Sequence, residues 1–174
     1  QARSRNRITA TSDSLIRIAS DYYQDSNDKA RKAKAFLYLG DVYMDMQNHI
    51  EAMKALKQAE EQVNDAESSV QSLIYSNLAY LNRESGNYEL AKKYYLKVLD
   101  INKINGYTEW VISNLTNILA LPLPEVQDSL TNYITQLEEV LLSAHFDLQA
   151  KAYNNIGVHY YKKNLLEQAA NYFR

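Results

Sequence analysis

The feature that most constrains this chain is an internal repeat. The stretches "FLYLGDVYMDMQNHIEAMKAL" (36–56), "YSNLAYLNRESGNYELAKKYY" (75–95) and "YNNIGVHYYKKNLLEQAANYF" (153–173) align without gaps. In each, an aromatic residue (Phe36, Tyr75, Tyr153) is followed three positions later by Leu39, Leu78 or Ile156, and at once by a small residue, Gly40, Ala79 or Gly157. Twelve positions after the small residue stands Ala52, Ala91 or Ala169, and four beyond that a large filler, Leu56, Tyr95 or Phe173. Apolar residues at spacings of three and four on both sides of a polar turn, clearest in "ESGNYE" at 84–89, predict a helix, a tight turn and a second helix. A glycine inside a helix costs about 1 kcal/mol relative to Ala, so Gly40 and Gly157 imply that another backbone comes close. Antiparallel helices approach at the short end of a range of about 8–10 Å only where the contact residues are small, and Gly157 with Ala169 is expected to form such a contact.

The repeat starts fall at 33, 72 and 150, intervals of 39 and then 78 residues, the second twice the first. A degenerate unit therefore lies between the last two. Its first helix shows in "ISNLTNIL" (112–119), which aligns with "YSNLAYLN" (75–82) and puts Leu115 and Thr116 in the Leu and small-residue slots. Its second helix is expected over roughly 125–143, with Pro122 and Pro124 at the junction, where prolines end one helix and admit the next. The expected organisation is a single array over 1–174, with a leading helix at 8–24, repeats at 33–66 and 72–105, a degenerate repeat at 109–143 and a truncated one at 150–174. In the leading helix Leu15, Ile18, Ala19 and Tyr22 share a side suited to packing ahead of the first repeat. The chain stops at Arg174 within a second helix, with no polar capping helix, so the native protein is expected to continue. The absence of an initiating Met fits a leader removed beforehand.

Composition supports helices and little else. Only 4 Gly and 2 Pro in 174 residues leave few places to turn, and 46% hydrophobic with 23% charged residues is an ordinary folded composition. The complete lack of Cys excludes disulfides, thiolate metal sites and cysteine nucleophiles, and suits a cytoplasmic or a periplasmic setting equally. No apolar run is long enough to insert in a membrane, and "QARSRNR" has no apolar core behind it to make a secretory signal. A net charge of −2 argues against nucleic acid. The one basic cluster, "DKARKAK" at 28–34, follows Asp21, Asp25 and Asp28 and reads as a solvated helix face. His49, His145 and His159 have no partner at metal-ligand spacing. The pairs Glu60–Glu61 and Glu138–Glu139 diverge around a helix and also read as solvated. There is no phosphate loop and no catalytic constellation, and neither cofactor nor metal is expected. Of fifteen Tyr, most occupy repeat slots, Tyr43, Tyr75, Tyr88, Tyr95, Tyr153 and Tyr160 among them, and are expected to pack helices together rather than stack on bases.

The units resemble the tetratricopeptide repeat, whose signature is an aromatic, Leu-Gly and Tyr in the first helix, then Ala, a large apolar residue and Ala in the second. The repeat from 33 supplies Phe36, Leu39, Gly40, Tyr43, Ala52, Leu56 and Ala59; that from 150 supplies Tyr153, Ile156, Gly157, Tyr160, Ala169 and Phe173. The repeat from 72 departs with Asn82 in the Tyr slot and Val98 for the last Ala. A 39-residue period exceeds the usual length of about 34 and resembles arrays of kinesin light chains and bacterial peptide-sensing regulators.

The resemblance implies an all-α, right-handed superhelical solenoid of antiparallel helix hairpins, acting as a non-catalytic module that binds a peptide or partner protein in a concave groove lined by first helices. By the same resemblance Asn77, Asn114 and Asn155 face that groove, with Tyr38 in the matching slot and Trp110, Leu73 and Lys151 on neighbouring positions. An amide offers both a donor and an acceptor to a peptide backbone. The carboxylate clamp of some members is not expected: Leu37 and Ser76 stand where its Lys would be, and Asp41 and Tyr80 where its Asn would be. Two further readings are a sensing or regulatory segment of a longer bacterial signalling or transcription-regulating protein, and a helical enzyme. The enzyme would need a convergent polar pocket with perturbed pKa values.

Overall fold

A computed structural model describes residues 12–124, 126, 129–142 and 144–173, without the side chains of Leu130 and Lys151. All regular structure among the described residues is helical: α1 (Ser14–Gln24), α2 (Lys29–Asp45), α3 (His49–Glu60), a 3-10 turn (Val63–Asp65), α4 (Ser68–Glu84), α5 (Tyr88–Ile104), α6 (Thr108–Leu119), α7 (Leu130–Leu141), α8 (Phe146–Lys162) and α9 (Leu166–Tyr172). They fall in two compact units, Gln1–Ser85 and Gly86–Arg174. In the first, α2 packs against α1, α3 and α4, and α3 against α4. In the second, α6 packs against α5, α7 and α8, and α8 against α7 and α9.

Within each unit the chain reverses by one device. Gln47 in the first unit and Gly106 and Asn164 in the second, each two residues beyond one helix and two before the next, have φ of 59°, 67° and 60°. This left-handed conformation closes the helix C-terminus and is free of strain only for glycine. Asn48 follows Gln47 and caps α3, its side chain accepting a hydrogen bond from Glu51 N at 3.3 Å; Asp28 caps α2 through Arg31 N at 3.0 Å.

The repeat slots become the core. Phe36, Leu39, Ala52 and Leu56 are buried in the first unit, as are Leu115, Ile118, Ile156 and Ala169 in the second. Asn82, in a slot where Tyr is usual, is buried and satisfies itself by donating to Leu78 O at 2.7 Å. Among the tyrosines only Tyr95 of those singled out above is fully buried; the other five are half-buried. The segment between α6 and α7 adds Leu121, Leu123 and Val126 to the core, and α7 spans Leu130–Leu141; residues 125, 127, 128 and 143 of the second helix expected over roughly 125–143 lie outside the described residues.

Two expectations need correction. The glycines do not admit a neighbouring backbone but make room for a side chain. A Cβ on Gly40 would lie 2.7 Å from Leu56 Cγ, and one on Gly157 would lie 2.6 Å from Phe173 Cε1. Small residue and filler are thus one lock rather than two independent slots. In the leading helix, of which residues 8–11 lie outside the described part, Leu15, Ile18 and Tyr22 are 82%, 68% and 76% exposed. The opposite side, with Ser20 buried and Ile16, Ala19 and Tyr23 half-buried, turns inward. Tyr22 stacks edge-on against Tyr23 at 5.0 Å instead of entering the core.

The two locks differ in how far they can yield. Leu56 is fully buried, whereas Phe173 is half exposed and free to swing outward. Gly40→Ala is expected to destabilise by about 1–3 kcal/mol through overpacking, beyond the roughly 1 kcal/mol that Ala gains in helix propensity. Gly157→Ala is expected to be neutral or stabilising. Thermal unfolding of the two variants checks the contrast.

Candidate functional site

On the first unit, α2 and α4 pack side by side and each offers one stripe of side chains. Along α2 the stripe carries Tyr38, Asp41 and Asp45; along α4 it carries Leu73, Asn77 and Tyr80. The two helices are joined by a polar contact: Asn77 Nδ2 donates to Asp41 Oδ1 at 2.5 Å. Burial lifts the Asp41 carboxyl from 3.8 to about 6; the hydrogen bond from Asn77 offsets part of that rise and the nearby Asp45 adds to it. Desolvation outweighs hydrogen bonding here because a single amide cannot replace the hydration of a carboxylate. Leu73 remains 40% exposed one turn before Asn77, and Tyr38 is half-buried. At the outer end of α2, Tyr43 donates to Asp13 Oδ2 at 2.9 Å. Leu37, at the clamp position, is fully buried.

On the second unit the corresponding stripe runs along α6. Trp110 is 38% exposed and meets the edge of Tyr107 at 5.1 Å. One turn on, Asn114 is only 4% exposed, and its Oδ1 is buried with no hydrogen-bond partner among the described residues. Asn155 on α8 is half-buried, and the side chain of Lys151 lies outside what is described. The three asparagines thus differ: Asn77 is tied to Asp41, Asn114 is sunk beneath the surface, and Asn155 is partly accessible.

Asp41 was legible in the sequence only as a residue hostile to a carboxylate. Its position three residues after Tyr38, on the same helix face, was the signal that it belongs with the site. Glu138, read as solvated, is instead half-buried and accepts a hydrogen bond from Tyr172 OH at 2.9 Å, which with the stacked Tyr160 ring at 5.6 Å ties α9 down. Burial and the Lys163 charge hold His159 below its usual pKa; its Nε2 is buried without a partner. Among the described residues no group of three His, Cys, Asp or Glu is placed to hold a metal ion.

The sign of the Asp41 effect follows from the raised value. The folded chain holds this proton more tightly than the unfolded one, so stability is full at low pH and is lost as pH rises through about 6. Asp41→Asn keeps an acceptor for Asn77 and removes the charge. It is expected to stabilise by about 1–3 kcal/mol at pH 7.5 and to have little effect at pH 4, as thermal melts at the two pH values would register.

The tetratricopeptide repeat family profile matches residues 31–104. No curated protein matches the chain. Among solved structures, BtubC (BKLC) from P. vanneervenii is similar, with a TM-score of 0.67 and 19% identity over 91% of this chain and 68% of that one. Likeness at that identity is a likeness of fold. Tetratricopeptide repeats generally mediate protein–protein interaction, binding proteins or peptides, and are generally non-catalytic. No helix among the described residues is long and apolar enough to cross a membrane. The all-α hairpins and their small-residue locks agree with the matched segment: residues 31–104 match the tetratricopeptide repeat, and the likeness of fold extends over 91% of the chain.

Proposed function

We propose that this chain is a non-catalytic binding module in which each unit receives a peptide or an extended segment of a partner protein on its own first helices, α2 and α4 in the first unit and α6 and α8 in the second. In this reading the repeats run over 33–66, 72–105, 109–143 and 150–174. The observation that carries it is a pairing that recurs along first helices. A large apolar side chain left exposed stands one turn before an amide on the same face, Leu73 before Asn77 and Trp110 before Asn114. Interface hot spots favour Trp and Tyr.

The amides then have different tasks. Asn77 has its N–H held by Asp41, which turns its carbonyl oxygen toward a peptide N–H. Asn155 offers both of its groups. Asn114, buried and with its carbonyl unpartnered among the described residues, accepts a donor only when the face opens. Tyr38 and Leu73 give the apolar contact on one unit and Trp110 on the other, and Lys151 belongs to the same proposed set of residues.

Asn77→Ala and Asn155→Ala each remove one or two hydrogen bonds worth on the order of 0.5–1.5 kcal/mol and are expected to weaken partner binding several-fold with the fold intact by circular dichroism. Trp110 is the sole Trp, so its fluorescence reports the titration. Unaltered affinity in the Asn77/Asn114/Asn155 triple alanine variant moves the binding surface elsewhere.

A further inference from the structure

A helix flanked by two others on one face leaves a trough along itself unless large side chains fill it. This happens at the start of α2, with α1 on one side and the first turn of α4 on the other. A cavity of about 600 Å3 opens there to solvent. Its depth comes from alanines: Ala19 of α1 and Ala30 and Ala35 of α2 line it where longer side chains would close it. Its walls are apolar and aromatic, with Ile16 and Tyr23 on α1, Tyr38 on α2 and Val70 on α4. The volume falls within the range of about 300–1,000 Å3 typical of small-ligand sites and is well beyond what one side chain needs.

Four charged residues also line the cavity, and they are not equivalent. Arg31 and Asp28 neutralise one another at 3.1 Å, and Asp28 is further occupied in capping α2. Lys34, half-buried on α2, and Glu67, immediately before α4, line the same cavity, and their side chains take part in no hydrogen bond or ion pair among the described residues. The cavity therefore combines an apolar body with one uncommitted cation and one uncommitted anion. An anion alone would leave Glu67 facing it, and a cation alone would leave Lys34; a ligand with both charges satisfies both.

We propose that this cavity binds a small apolar zwitterion of the size of a dipeptide or tripeptide, its carboxylate against Lys34 and its ammonium against Glu67. Surface ion pairs of this kind contribute little by themselves, so the apolar body lying against Tyr23, Tyr38 and Val70 supplies affinity and the two charged ends supply orientation. The site shares Tyr38 with the α2–α4 stripe but none of its amides, and it does not rest on the peptide reading of that stripe.

Calorimetric titration of the chain with leucyl-phenylalanine tests it. Saturable binding is expected, weakened about tenfold by acetylating the amine and about tenfold by amidating the carboxylate. Lys34→Met is expected to abolish the preference for a free carboxylate while keeping that for a free amine, and Glu67→Gln the reverse. Ala19→Phe, filling the cavity from α1, is expected to abolish binding. The two charge variants alter side chains without partners among the described residues and leave the fold intact, so they decide the matter even if Ala19→Phe unfolds. Asn77→Ala is expected to leave dipeptide binding unchanged, which separates this site from the binding face proposed above. Absence of binding at millimolar dipeptide, equal binding of free and blocked forms, or indifference to both charge variants would overturn the proposal.

Discussion

The lock between a small residue on one helix and a filler on the next is the contact on which the rest of each hairpin depends. Leu56 sits where a Gly40 side chain would be, and Phe173 where a Gly157 side chain would be. A filler held in this way fixes both the distance and the rotation of the paired helix, because a buried side chain cannot be displaced without overpacking its neighbours. The rotation then decides which stripe of α2 faces inward, bringing Phe36, Leu39 and Gly40 into the core. The remaining stripe, with Tyr38 and Asp41, is left for the surface shared with α4. The site is what remains after the locks are made.

The same logic explains how much was legible beforehand. The fold was, because the lock needs residues three, four and twelve apart that no other arrangement would place so, and Phe36, Gly40, Ala52 and Leu56 all serve as read. What the sequence could not show was which member of each slot carries the packing. Gly40 reads equally as room for backbone or room for a side chain; only Leu56 at 2.7 Å distinguishes them. Amphipathicity also failed for α1, where Leu15, Ile18 and Tyr22 form a coherent apolar side that is exposed, while the less apolar side with Ser20 is buried. Periodicity locates a stripe but does not say what lies opposite it.

The candidate site was harder to read for a different reason. Asn77, Asn114 and Asn155 occupy equivalent slots, yet burial ranges from nearly complete to partial, because each neighbouring helix differs in what it presents. Asp41 alone determines the state of Asn77, and it lies 36 residues away on another helix. Equivalence in a repeat is an equivalence of backbone, while the chemistry of each slot is set by tertiary neighbours that spacing does not encode. The cavity beside α1 makes the same point: its depth comes from alanines at Ala19, Ala30 and Ala35, residues that in a sequence signify only that a helix is easy to form.

Asp41 gives the interface between α2 and α4 a property that no apolar contact would have. Its carboxyl changes charge near pH 6, so the proton is itself a ligand of that interface. Linkage is reciprocal: any molecule that touches the Asp41–Asn77 pair and prefers the ionised form must release the proton, and any that prefers the neutral form must take one up. Association at this step is therefore accompanied by proton exchange with the medium, and the acidity of the surroundings acts on the interface through the Asp41 carboxyl itself.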